Sequence, residues 1–291
     1  MKSIKINPNP KIKINLDDSL ILEGDAIQSI KALPKKSISC VITSPPYWGL
    51  RDYGIEGQIG LEKTLPSFIQ ELVTVFGELK RVLKDDGTLW INIGDGYTSG
   101  NRRYRASDKK NPARAMSVRP DTPEGLKPKD LQGIPWRLAF ALQDDGWYLR
   151  SDIVWNKPNA MPESVKDRPT RSHEYLFMFT KSEKYLYNQD SVKEKGANGK
   201  LRNKRTVWNV NTQGFPGAHF ATFPTKLIEP CILASSNPGD YILDPFFGSG
   251  TVGLAGIQLN RKFVGIELNP EYVSIALNRL LSATEKKIQN K

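Results

Sequence analysis

Two short stretches concentrate the residue types that could do chemistry. The first is Thr43-Ser44-Pro45-Pro46-Tyr47-Trp48. Consecutive prolines stiffen the backbone and give up two amide donors, while the carbonyls around them stay free to accept. Ser44 adds a hydroxyl; Tyr47 and Trp48 add flat faces. Such a set would grip a planar amine, with acceptors for its N–H groups and an aromatic face for its ring. A rigid Pro-Pro turn with a packed tyrosine would account for the same residues without a ligand. The second stretch is Asp244-Pro245-Phe246-Phe247-Gly248-Ser249-Gly250-Thr251. A glycine-rich turn between a strand and a helix lets a ligand approach the backbone and presents helix N-terminal amides.

The second stretch does not suit a phosphate. A P-loop needs Lys before its Ser/Thr, and Gly250-Thr251 has none. Gly248-Ser249-Gly250 runs on to Gly253 and so matches Gly-x-Gly-x-x-Gly in form. Glu267 follows about 20 residues after Asp244, where an acid can accept the hydroxyls of a ribose. Asp244 itself would repel a pyrophosphate. A sulfonium-bearing nucleoside would instead gain from that carboxylate and from the aromatic faces beside it. A tight turn with packing glycines is the plain alternative.

These stretches need elements to hold them. Leu20–Glu23 and Ile38–Ile42 read as strands, and the latter delivers the Pro-Pro turn. Phe68, Leu72, Val75, Phe76, Leu79 and Leu83 fall on one helical face. Asp85-Asp86-Gly87 reads as a turn before a buried strand, Thr88–Ile93. Tyr148–Trp155 and Glu174–Thr180 read as strands able to pair. Tyr241–Leu243 and Lys262–Ile266 flank the glycine-rich turn and its helix. Val273, Leu277, Leu280 and Leu281 stripe the last helix. Strands alternating with helices predict an α/β fold with a mostly parallel twisted sheet. In such sheets, ligand chemistry sits at the carboxyl ends of strands.

The chain has 291 residues, enough for a sizeable core in one domain. Its apolar runs fall short of the roughly 20 residues that span a bilayer. With two cysteines and two histidines it has neither a disulfide framework nor an evident metal site. No secretory h-region is visible, so a cytoplasmic setting is expected. Net charge is +11, and two segments hold most of it. Residues 97–131 carry nine Lys/Arg against four Asp/Glu, and 191–205 carry six against Glu194 alone. Both are rich in Gly, Pro, Asn and Ser and lack apolar periodicity, so they read as basic loop insertions. One such run is ordinarily a solvated loop; two on a neutral body point to a polyanion.

The paired motifs resemble those of the S-adenosylmethionine-dependent DNA amino-methyltransferases. The catalytic motif precedes the cofactor motif, the permuted order of their β class. The resemblance covers most of the chain and implies a Rossmann-like methyltransferase fold. Leu22-Glu-Gly-Asp25 is similar to the motif whose acid, here Asp25, contacts the cofactor adenine. Gly87–Gly94, Asp152–Lys157 and Arg171–Phe179 resemble the family's following strands. His219–Leu227 resembles the cofactor-side motif, which adds Phe223, Pro224 and Thr225 to Asp244, Phe246, Gly248, Ser249, Gly250, Thr251 and Glu267.

The resemblance implies methyl transfer to an exocyclic nitrogen of a base flipped out of double-stranded DNA, with no metal. Ser44 and the Pro45 carbonyl would hold the amine, Pro46 would stiffen the turn, and Tyr47 would stack on the base. Asp at the first motif position is usual for adenine-N6 enzymes and Ser for cytosine-N4 enzymes, so Ser44 favours cytosine-N4. Adenine-N6 methylation, an RNA or protein substrate, and a DNA-binding protein that has lost catalysis stay as alternatives. A carbon-5 mechanism needs a cysteine nucleophile. Pro230-Cys231 offers one in form, but Cys231 sits in a helical pattern and Cys40 in a strand, so both read as core residues. His173 reads as a structural histidine more readily than as a base. Arg102, Arg103, Arg105, Lys109 and Lys110, with Lys193, Lys195, Arg202, Lys204 and Arg205, are the expected DNA phosphate contacts. A companion restriction endonuclease is the expected genetic partner.

Overall fold

The computed structural model describes residues 11–16, 18–50, 52–98, 122–213 and 223–289, the side chains of 11–16 and 286–289 excepted. The strands are β1 (Lys11–Leu16), β2 (Ser19–Glu23), β3 (Ile38–Thr43), β4 (Leu83–Ile93), β5 (Tyr148–Asn156), β6 (His173–Thr180), β7 (Glu194–Lys195), β8 (Leu201–Arg202), β9 (Val207–Asn209), β10 (Tyr241–Asp244) and β11 (Lys262–Glu267). The helices are α1 (Ala26–Ala32), α2 (Leu65–Val82), α3 (Ile134–Asp144), α4 (Thr225–Ser235), α5 (Thr251–Gln258) and α6 (Pro270–Gln289).

Nine of the strands form one sheet in the order β1-β2-β11-β10-β3-β4-β6-β5-β9. The run β2, β11, β10, β3, β4 is parallel throughout. Strand β6 lies antiparallel between β4 and β5. The expected mostly parallel α/β sheet is present. The chain leaves β3 towards β4 on one side and β10 towards β11 on the other. The two connections therefore diverge between β3 and β10, which opens a crevice at their carboxyl ends.

Apolar residues run continuously along the central strands because helices cover both faces. Val41, Leu89 and Ile91 point into a core with Ile30 of α1, Phe68, Leu72 and Phe76 of α2, and Leu138 of α3. Cys40, Ile42 and Trp90 point the other way, onto Leu227 and Ile232 of α4, Val252 of α5 and Leu280 of α6. Helix α2 starts where Thr64 caps the Ser67 amide at 3.2 Å and Pro66 fills the first turn. Among the described residues, no helix is long and apolar enough to cross a membrane.

Two elements differ from the sequence expectation. Asp85-Asp86-Gly87 is not a turn ahead of its strand. It is bulged out within β4, where Ile38 pairs with Leu83 and Cys40 next pairs with Thr88. A Cβ on Gly87 would lie 3.1 Å from the backbone oxygens of both Lys84 and Ser39, so glycine suits a chain folded back this tightly. The segment 191–205 is also not simply a loop. It holds a short hairpin, β7–β8, before β9 joins the sheet edge beside β5.

Candidate functional site

The carboxyl ends of β3 and β10 meet at one hydrogen bond. Thr43 Oγ1 donates to Asp244 Oδ1 at 2.6 Å, between residues 201 positions apart in the chain. This bond sets the Pro-Pro turn beside the glycine-rich turn. A cavity of about 210 Å³ opens there, lined among others by Asp25, Ser44, Pro45, Pro46, Tyr47, Phe223, Asp244, Phe246, Gly248, Ser249, Thr251 and Glu267. Twelve of the residues singled out in the sequence thus share one wall. Pro224 and Thr225 do not line it; they are the N-cap and first residue of α4. Gly250 does not line it either; it is the left-handed N-cap of α5, φ 80°, with its α-carbon facing Ala276.

The glycines divide by what they meet. A Cβ on Gly248 would touch nothing within 4 Å, so this position is open to a ligand. A Cβ on Gly253 would lie 2.8 Å from the Phe247 ring, and one on Gly265 only 2.4 Å from it. The formal Gly-x-Gly-x-x-Gly match is therefore part approach and part packing. Phe247 lies stacked on Phe263 and takes the space that side chains at 253 and 265 would need.

Three acids line the cavity, Asp25, Asp244 and Glu267, and the last two are buried. Asp244 is 2% exposed, and burial pushes its carboxyl up to about 7 despite the donors Thr43 and Phe246 N–H. Glu267 is also raised by burial; it accepts from Gly248 N at 2.7 Å and Asn269 N at 2.8 Å. The Leu268 amide is a third donor, and the carboxylate keeps acceptor capacity for a ribose hydroxyl. The pocket thus holds a buried carboxyl that a cationic ligand would ionise, a diol acceptor, aromatic faces and an open glycine. That set fits a sulfonium nucleoside.

Tyr47 is held at its tip. Its hydroxyl donates to Glu174 Oε2 at 3.0 Å and accepts from Gly94 N at 3.1 Å. Burial, then the Glu174 charge, push this phenol well above its usual range, so it stays protonated.

Sequence reasoning missed several parts of the site. Leu50, Tyr53, Ile55, Gly57, Gln58 and Ile59 form a flap over the cavity, closed at its neck by Gly49 N to Gly60 O, 2.8 Å. Tyr53 meets Tyr272 of α6 edge to face at 5.6 Å. Arg279, from the last helix, reaches Ser249 Oγ at 3.1 Å and Thr251 Oγ1 at 3.0 Å. Only the glycines and Tyr53 between 49 and 60 could have hinted at the flap; nothing local marks Arg279.

The cysteines are core residues, as expected. Burial pushes the Cys40 thiol up to about 12 and the Cys231 thiol well above its usual range, and both stand apart from the cavity lining. His173 begins β6 and packs edge-on against Tyr175 at 5.4 Å. Arg102, Arg103, Arg105, Lys109, Lys110 and His219 lie outside the described residues. The first basic segment leaves β4 at the carboxyl end, through a neck where Thr98 N bonds Asp130 O and Gln132 N bonds Gly96 O. The second enters at the opposite end of the sheet, tied to the end of α4 through Asn188 N and Ala234 O. Of its cations, Lys193 pairs with Asp190, and Arg202 and Lys204 with Glu194; Lys195 and Arg205 are exposed.

Comparison with known proteins agrees with this geometry. The profile of the N6/N4 DNA methylases, described as DNA methylase, matches residues 38–278. The chain is 73% identical over 267 residues to the Type II methyltransferase M.Cfr9I of Citrobacter freundii, covering 92% of this chain and 89% of that one. It is 58% identical over 255 residues to M.SmaI of Serratia marcescens, covering 87% of each. Among solved structures, the PvuII DNA methyltransferase (cytosine-N4-specific) superposes with a TM-score of 0.70 at 21% identity, over 99% of this chain and 98% of that one, a likeness of fold. A putative DNA modification methylase of Thermus thermophilus, solved complexed with S-adenosyl-L-methionine, gives 0.63 at 25% identity over 90% and 92%. The Rossmann-like sheet, the meeting of two motifs at its switch point and a profile match across most of the length place this chain in the N6/N4 DNA methylase family.

Proposed function

We propose that this chain transfers a methyl group from S-adenosylmethionine to the exocyclic N4 of cytosine in double-stranded DNA. The observation that carries the choice of base is Ser44, rather than an acid, at the head of the Pro-Pro turn in the shared cavity. Asp25, Phe223, Asp244, Phe246, Gly248, Ser249, Thr251 and Glu267 hold the cofactor, which supplies an electrophilic methyl on its sulfonium. Pro224, Thr225 and Gly250 shape the wall from behind.

An exocyclic amine is a poor nucleophile because its lone pair is delocalised into the ring. Ser44 Oγ and the Pro45 carbonyl accept its two N–H bonds and draw the nitrogen towards tetrahedral geometry; when the nitrogen takes the methyl, one of these protons is lost to solvent. Pro46 keeps the turn from yielding, and the face of Tyr47 stacks on the flipped base. Holding both reactants at near-attack distance supplies much of the rate. The chain is read as one catalytic domain whose insertions, 97–131 and 191–205, supply phosphate contacts. Arg102, Arg103, Arg105, Lys109, Lys110, Lys195 and Arg205 are the contacts proposed first. Lys193, Arg202 and Lys204 would exchange an acid partner for a phosphate. The setting is cytoplasmic, beside a companion restriction endonuclease.

The test is methylation of unmodified bacterial DNA with labelled S-adenosylmethionine, followed by digestion and nucleoside mass spectrometry. Label in N4-methylcytosine that disappears in Ser44→Ala is the expected result. Label in N6-methyladenine would overturn the choice of base and leave the site standing.

A further inference from the structure

We propose that Lys157 and Glu174 form a positioning pair that fixes the ring of Tyr47, so that the pocket is ready for a base before one arrives. This rests on the reading of Tyr47 as the stacking residue. A tyrosine has two soft side-chain torsions, and Tyr47 both lines the cavity and packs against the core. Packing on one side does not set its angle. The hydroxyl does, because two of its partners come from the ends of neighbouring strands, Gly94 after β4 and Glu174 in β6, and the Ser44 side chain is a third. Glycine at 94 permits this approach, since a Cβ there would lie 3.1 Å from both Tyr47 Cε2 and Glu174 Cγ.

Glu174 must itself be held. Its side chain is 15% exposed, and it is paired with Lys157 Nζ, whose side chain is 18% exposed. Lys157 lies 4.3 Å from the centroid of the Trp155 ring, and Trp155 Nε1 is anchored on Val210 O at 2.8 Å. The phenol oxygen is thus engaged by Glu174 and Gly94, which orient the ring, and it also meets the Ser44 side chain. A charge pair this enclosed adds little net stability, because desolvation offsets most of the attraction. Its place beside the pocket fits a role in orienting Tyr47.

The test compares Tyr47→Phe, Glu174→Ala, Glu174→Gln and the double variant Tyr47→Phe/Glu174→Ala in the full chain, on unmodified genomic DNA. Tyr47→Phe and Glu174→Ala should each lower kcat roughly tenfold, as a loosened near-attack geometry does. KM for DNA and the cofactor Kd should stay within about twofold, since neither substrate's ground-state contacts change. Glu174→Gln keeps an acceptor for the phenol but gives up the charge that pairs with Lys157, and should recover only part of the loss. The double variant should be no worse than either single one. Multiplying losses, or full activity in folded Glu174→Ala, would overturn the pairing. A second readout needs no DNA. With 3-fluorotyrosine at position 47, the ¹⁹F signal should show a fixed ring in the wild type and an averaged one in Glu174→Ala. An averaged ring already in the wild type overturns the proposal. A fixed ring in a protein that leaves DNA unmethylated would keep the pair and sink the stacking role instead.

Discussion

Replacing Asp244 by Asn should make the protein more stable at alkaline pH while making it a worse methyltransferase. Asp244 titrates near 7 in the native chain against an ordinary 3.8, chiefly because it is buried. Between those two values the native state holds a proton that the unfolded state has released. Stability therefore falls as pH rises through that window. The displacement, at 1.36 kcal/mol per pH unit, corresponds to about 4 kcal/mol at pH 8. At about 2 °C per kcal/mol for a chain of this size, that is roughly 8 °C in Tm. Asparagine keeps an oxygen for Thr43 Oγ1 and Phe246 N but cannot ionise. Wild type and variant should melt together near pH 4, with the variant melting progressively higher up to pH 8. A sulfonium ligand reverses the preference, because it favours the ionised carboxylate. Cofactor binding at pH 7 should then release up to about half a proton, rising towards one at lower pH, and affinity should fall below pH 7 by at most tenfold per unit. The assay is a series of thermal melts across pH 4–8, with titration calorimetry in buffers of different ionisation enthalpy. A Tm difference that does not change with pH, together with proton-neutral binding, would refute the argument.

Other outcomes follow from single contacts. Gly265→Ala places a Cβ 2.4 Å from the Phe247 ring and should cost about 3 kcal/mol in urea unfolding, with Phe247→Leu in the same chain restoring part of it. Arg279→Met frees Ser249 and Thr251 and should weaken cofactor affinity roughly tenfold with only a small change in Tm, read by calorimetry. Neutralising Lys195 and Arg205 together should lower the slope of log affinity against log salt by about 2 if both meet phosphates. An unchanged slope would place DNA on other loops.

Much of the fold could be read from the chain, because its strands are buried on both faces and its helices keep one apolar stripe. The two motifs were legible for a related reason. Each packs its chemistry into consecutive residues at a strand end, so local sequence carries it. What joins them was not legible. Thr43 and Asp244 were each visible, yet the bond between them exists only once β3 and β10 lie side by side. Glu174 read as the first residue of a strand, and its role depends on the antiparallel register that sets Tyr175 opposite Ile93 and so brings it near Gly94. The flap over the cavity has no periodicity to announce it. Asp85-Asp86-Gly87 has the composition of a turn and became a bulge because β3 was long enough to keep pairing on both sides of it.

The neck beneath the first basic segment has a consequence for how such a protein can change over generations. Gly96, Thr98, Asp130 and Gln132 are stitched backbone to backbone, with Tyr97 bridged to Leu131. The sheet therefore registers two fixed attachment points, whatever chain runs between them. Lengthening that chain twofold costs only about 0.6 kcal/mol in loop closure. Sequence there can be exchanged, extended or shortened without disturbing the hydrogen bond that joins the two motifs. The fold can therefore tolerate change between these two points while the residues of the cavity stay as they are.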